Sequence, residues 1–139
     1  MNRALLKYLL DTNVVSEPAK PRPNEYLLEQ LREHEDAAAI SSITWHELRC
    51  GVSRLPEGRR KKELNEYLRA IRLPILDYDQ RAAEWHAEER ARLEKKGRLL
   101  PYGDGQIAAI AAANRLTLVT ANEKDFKVFA DLTVTNWMR

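Results

Sequence analysis

Tyr8-Leu9-Leu10-Asp11-Thr12-Asn13 decides the reading of this chain, because a short apolar run stops abruptly on an acid followed by two small polar residues. Three residues are too few for a helix, and an apolar run bounded by turn formers is how a buried strand of a parallel sheet is written. Ala38-Ala39-Ile40, Ile75-Leu76 and Thr117-Leu118-Val119 repeat the pattern further on, and Thr133-Val134 is expected to add an edge. None of these runs alternates apolar with polar residues, so both faces of the sheet should be covered.

The stretches between the strands have helical spacing. Leu27, Leu28 and Leu31 form one apolar stripe, and Leu64, Tyr67, Leu68 and Ile71 form another. From Asp79 to Lys96 the chain is heavily charged, with Ala82, Trp85 and Glu89 about one turn apart, which predicts a long half-exposed helix stopped at Gly97. Pro18, Pro21 and Pro23 mark a turning or extended loop. Strands joined by helical crossovers imply an α/β fold, a three-layer α/β/α sandwich on a mostly parallel sheet of four to five strands. With 139 residues, 44% of them hydrophobic, one domain over 1–139 is the expectation.

Charge sets the next bounds. Lys and Arg number 23 against 21 Asp and Glu, a net +2, so any nucleic-acid partner must be met by a local cluster of basic residues. The one cysteine, Cys50, can form no internal disulfide, and no Cys/His spacing matches a zinc site. The opening MNRALLKYLLD is too short and too polar for a signal peptide or membrane span. These features describe a soluble protein of the cytoplasm with no membrane partner.

In parallel α/β sheets, ligands bind beyond the carboxyl ends of the strands. Asp11 ends the first strand, Glu47 lies in the helix after the second, Asp104 opens the small-residue helix Gly105-Gln106-Ile107-Ala108-Ala109, and Asn122 and Asp125 follow the fourth strand. Each has a structural explanation. Asp11 can make an Asx-turn, Thr44 and Glu47 spell a capping box, and Asp104 and Asn122 can be helix N-caps. Taken together, carboxylates at one end of one sheet repel one another unless a cation or protons neutralise them. An all-oxygen donor set favours Mg²⁺ or Mn²⁺ over zinc.

The segments Leu10-Asp11-Thr12-Asn13, Trp45-His46-Glu47-Leu48-Arg49-Cys50-Gly51, Asp104-Gly105-Gln106-Ile107-Ala108-Ala109 and Leu118-Val119-Thr120-Ala121-Asn122-Glu123-Lys124-Asp125-Phe126 resemble PIN domains in order and spacing. They resemble most the VapC and FitB branch, the toxins of VapBC-type toxin–antitoxin pairs. The resemblance implies a metal-dependent endoribonuclease acting on transfer or ribosomal RNA and leaving 5′-phosphate and 3′-hydroxyl ends. It also implies Asp11, Glu47 and Asp104 as metal-binding catalytic acids, a VapB-like antitoxin as partner, and a homodimer. A fourth acid of the family falls on Asn122 here, so one firmly held metal is expected. Asn122 is carried as a catalytic candidate, and Asp125 as a possible substitute for the missing charge at a second metal. Thr12, Asn13 and Thr120 are candidates to orient carboxylates or water.

Arg49 is the first candidate to meet RNA, ahead of Arg59-Arg60-Lys61-Lys62 and of Lys95, Lys96 and Arg98, which also read as solvated helix faces. His34 and His86 carry no motif, His46 lies beside Glu47 but adjacent helical positions face different ways, and Trp45, Trp85 and Trp137 read as core or interface, so all six are left out of the site. Two rivals stay open. One is a PIN-fold RNA- or protein-binding module without catalysis. The other is a phosphatase with Asp11 as aspartyl nucleophile, which would want an acid where Asn13 stands.

Overall fold

A computed structural model describes residues 5–138, so the first four residues of the MNRALLKYLLD stretch lie outside the described part. Strand β1 (Tyr8–Leu10) leads through helices α1 (Thr12–Ser16) and α2 (Glu25–His34) to β2 (Ala38–Ser41). Helices α3 (Ser42–Ser53) and α4 (Arg59–Ala70) connect β2 to β3 (Ile75–Leu76). Helices α5 (Gln80–Lys95) and α6 (Tyr102–Ala113) then reach β4 (Thr117–Val119), and α7 (Glu123–Phe126) leads to β5 (Val134–Thr135).

The five strands lie in the order β3-β2-β1-β4-β5, and every pairing is parallel. Because strand connections of this kind are right-handed, crossovers that step one way across the sheet put their helices on one face and those that step the other way put theirs on the opposite face. The two cores follow that rule. Leu10, Ile40 and Val119 pack with Val14, Leu27, Leu48 and Leu68 of the first four helices. Leu9, Ala39 and Leu118 pack with Ala82, Leu93, Ile107, Ile110 and Phe126 of the last three. Neighbouring residues of one strand thus face opposite cores, which is why the strands read as unbroken apolar runs.

Three details differ from the sequence reading. The edge strand is Val134–Thr135, one residue later than expected, because its register is set by Leu118 and Val119 of β4. Helix α6 begins at Tyr102, behind Pro101 as N-cap, so Asp104 is the third residue of the helix rather than its opener. The cap of α3 is Ser41, whose hydroxyl accepts from Thr44 N at 2.9 Å, and this removes Thr44–Glu47 as a capping box.

Reversal of strand order at β1 places a switch point between β1 and β4, and ligands of parallel sheets bind beyond the carboxyl edge at such points. Asp11 and Thr120, the first residues past those two strands, meet there.

Candidate active site

Asp11 is the N-cap of α1 and lies in extended backbone between β1 and that helix. Its amide donates to Val119 O at 2.9 Å, so the residue is still held by the edge of the sheet. The side chain is only 5% exposed. One carboxyl oxygen accepts from Thr12 N at 2.8 Å and the other from Thr120 Oγ1 at 2.7 Å. Burial pushes its pKa up, the two hydrogen bonds pull it back, and the charge of Glu47 adds to the rise.

Glu47, one turn beyond Thr44 on α3, is freed from capping by Ser41 and turns toward the sheet edge. Thr12 Oγ1 donates to Glu47 Oε1, and the same hydroxyl lies 3.2 Å from Thr44 Oγ1. A Cβ on Gly103 would sit 3.6 Å from Glu47 Oε2, so the glutamate reaches the first turn of α6. Asp104 stands one residue further along that turn. Its pKa is raised chiefly by burial, then by Asp11, Asp125 and Glu47 in that order. Among the described residues no hydrogen bond is donated to the Asp104 carboxyl. Only other acids surround it electrostatically.

The structure therefore brings Asp11, Glu47 and Asp104 into mutual electrostatic reach, with Asp125 behind Asp104. Asn122 is exposed and caps α7 only through its backbone carbonyl, which accepts from Asp125 N at 3.1 Å, while its amide donates to Thr120 Oγ1 at 3.0 Å. Thr120 thus accepts from the fourth motif and donates to the first. Asn13 Oδ1 accepts from Ala121 N at 3.2 Å, which ties together the loops that follow β1 and β4. That bond gives Asn13 a bracing role where an aspartyl phosphatase would need an acid.

These donors suit a hard cation, being carboxylate oxygens each with a free lone pair. A half-buried carboxylate such as Asp104 that meets only like charge is a place at which a cation relieves repulsion. No three His, Cys, Asp or Glu side chains among the described residues are already gathered at metal-binding distance. Glu47 accepts from Thr12 through Oε1, which leaves Oε2 facing the first turn of α6 near Gly103.

A cavity of about 370 Å³ opens beside Thr12 and Glu47, walled by Leu48, Leu64 and Tyr67, with Lys20 and Arg60 among its lining residues. The 59–62 run therefore contributes one cation near the acids. Its neighbours Arg59 and Lys61 pair with Glu63 and Glu57 on the helix surface. Arg49, two residues past Glu47, lies about 200° around α3 by helical periodicity, away from the carboxylates. Lys20 gave no signal in sequence beyond standing in the proline-rich loop. Among the described residues no helix is long and apolar enough to cross a membrane.

Comparison with known proteins adds a family to this geometry. Residues 8–132 match the sequence profile of the family described as PIN domain. The chain is 39% identical to Toxin FitB of Neisseria gonorrhoeae, covering 92% of this chain and 96% of the relative. It is 38% identical to Ribonuclease VapC2 of Rickettsia felis, with 94% and 97% covered. The solved structure of FitAB bound to an IR36 DNA fragment superposes with a TM-score of 0.84 at 35% identity, covering 95% of this chain and 96% of that one.

Proposed function

The chain belongs to the PIN-domain family, and from that premise we propose that it is an Mg²⁺- or Mn²⁺-dependent endoribonuclease, the toxin of a VapBC-type toxin–antitoxin pair. The observation that carries the reading is the buried Asp11 carboxylate at the strand-order reversal, electrostatically coupled to Glu47 and Asp104. The names of the relatives agree with it, one being called a toxin and another a ribonuclease.

Asp11, Glu47 and Asp104 would hold the ion. When bound, it supplies the Lewis acidity and charge neutralisation that phosphodiester hydrolysis needs. The chain's own groups prepare the place. Thr120 and the Thr12 amide fix both oxygens of Asp11, so that the carboxylate has one orientation ready for an ion. Thr12 holds Glu47 by Oε1 and leaves Oε2 beside α6. Asn122 offers a carbonyl and no charge, which leaves Asp125 as the added acid on that side. Arg60 gives an RNA phosphate a positive charge in the cavity beside Glu47, whereas Lys20, on the same wall, is paired with Glu17 at 2.9 Å.

The substrate proposed is transfer or ribosomal RNA, met in the cytoplasm. The partner is a VapB-like antitoxin that covers the acidic site, and the protein acts as a homodimer. Induced expression of the wild-type chain should arrest growth, with new 5′-phosphate ends at a few sites in stable RNA. Co-expression of the antitoxin, or Asp104→Asn, should abolish both. Harmless wild-type expression, or arrest that persists in Asp104→Asn, would overturn the reading.

A further inference from the structure

Asp104 receives no hydrogen bond from the described residues, so its position is inherited from the α6 backbone. The first turn of α6 is itself uncapped, since Pro101 makes no side-chain cap bond. Something outside the helix must hold that turn. We propose that His86 and Arg90, on α5, are positioning residues for Asp104 that clamp the start of α6 and so set the carboxylate against Asp11 and Glu47. The inference rests on the metal-holding role given to Asp104 above and extends it to a second helix.

The contact at Gly105 is the tightest part of the clamp. A Cβ there would lie 2.8 Å from His86 Cδ2, 3.0 Å from Cε1, and closer still to Nε2. The imidazole therefore lies against the α6 backbone immediately after Asp104, in space that only a glycine leaves open. His86 is 5% exposed, and its Nδ1 is 2.8 Å from the Tyr78 hydroxyl, which holds the ring from its far side. One turn along α5 on the same face, Arg90 donates from Nη1 to Leu100 O at 3.0 Å, and its guanidinium carbon sits 3.7 Å over the Tyr102 ring. Glu94 fixes the same guanidinium at 3.2 Å. Residues 100, 102 and 105 are thus held from α5, and Asp104 lies between them. Burial, and then the charge of Arg90, lower the His86 pKa, as expected of a ring packed on backbone.

The test exchanges volume across the contact in the full-length chain. Gly105→Ala alone drives its new methyl into the imidazole, and His86→Ala alone removes the support. The double variant places the methyl in the space the ring has left. Each single variant should lower Mn²⁺ affinity, read by calorimetry, and kcat by about tenfold, the low end of what orienting contacts around a metal site contribute. KM for RNA should move less than kcat, because Arg60, the cation assigned to the RNA phosphate, lies on α4 and not on this turn. The double variant should recover both losses. Tyr78→Phe, which frees the ring and keeps its volume, should give a smaller loss in the same direction and guards against a single variant that fails to fold. Folded single variants with wild-type Mn²⁺ affinity, or a double variant no better than the worse single, would overturn the clamp. A wild-type chain that neither binds Mn²⁺ nor cuts RNA would instead sink the functional reading. The clamp would then be judged by the backbone amide NMR signals of residues 103–106, which the single variants must displace and the double variant restore.

Discussion

At Asp11, burial and hydrogen bonding act in opposite directions, and the balance favours burial. Thr120 supplies one of the two opposing hydrogen bonds, through a hydroxyl that also accepts from Asn122 N. Thr120→Val should therefore raise the Asp11 pKa further and reduce metal affinity and cleavage by about 10- to 100-fold, the range for contacts that orient metal ligands. Metal titration of the folded variant checks it, and unchanged affinity would remove Thr120 from the site. Asp104 carries the sharper pH prediction. Its folded-state pKa is raised, so the folded chain keeps a proton there that the unfolded chain has lost. The resulting penalty is absent below the ordinary carboxylate range and complete above the raised value. Without metal, stability contributed by this group must fall as pH rises through that window. Asp104→Asn should flatten that fall, so its melting temperature gains on wild type as pH rises from about 4 toward neutrality. A gain that shrinks with rising pH would contradict the assignment.

Among the elements, β1 to β4 were legible because buried parallel strands leave uninterrupted apolar runs. The helix starts were less so, since they depend on which of several polar residues reaches a free amide. Both Ser41 and Thr44 qualify as caps in sequence. Ser41 wins because it ends β2 in extended backbone, with its hydroxyl aimed at Thr44 N. Ser41→Ala should cost about 1 kcal/mol in a denaturant melt, the usual value of such a cap. Of the expected stripe Ala82, Trp85 and Glu89, the first and last are buried and Trp85 packs half-buried against the core, while His86 and Leu93 join the buried face without having been expected there. A glutamate can take that place because Arg92 grips both its oxygens, at 2.8 and 2.9 Å, while Ala130 N donates to it at 2.6 Å. No local pattern announces a partner 41 residues away. Glu89→Ala leaves the Ala130 amide without its acceptor and Arg92 with only the Val128 carbonyl, and should destabilise the chain by about 1–3 kcal/mol. A variant as stable as wild type would show the triad to be ornamental.

On the scale of the whole molecule, the acids could be listed from sequence, yet their convergence depends on the strand order. Asp11 and Asp104 are 93 positions apart by number and meet because β1 occupies the centre of the sheet and the chain returns to its other side. The basic approach was partly hidden for the same reason. Arg60 lies in a run that reads as solvated surface, and Lys20 in a loop, until the fold sets both beside Glu47. An arrangement of mutually repelling acids should be stabilised by the ion it awaits. Mn²⁺ at 100 times its Kd should add about 2.7 kcal/mol, and one fixed Mn²⁺ concentration should add more above the raised pKa values of Asp11 and Asp104 than below them, because protons compete for the same oxygens. A thermal shift at fixed Mn²⁺ that grows as the solution is acidified would place the ion elsewhere.

The central claim, that Asp11, Glu47 and Asp104 hold an ion against RNA, is tested most directly by cleavage of purified stable RNA with Mg²⁺ or Mn²⁺, alone and with EDTA, by wild type, Asp11→Asn and Asp104→Asn. Metal catalysis contributes several kcal/mol and each 1.4 kcal/mol is tenfold, so the predicted result is EDTA-sensitive cleavage that drops about a thousandfold or more in each folded variant. Cleavage that survives EDTA, or that either variant retains, would contradict it.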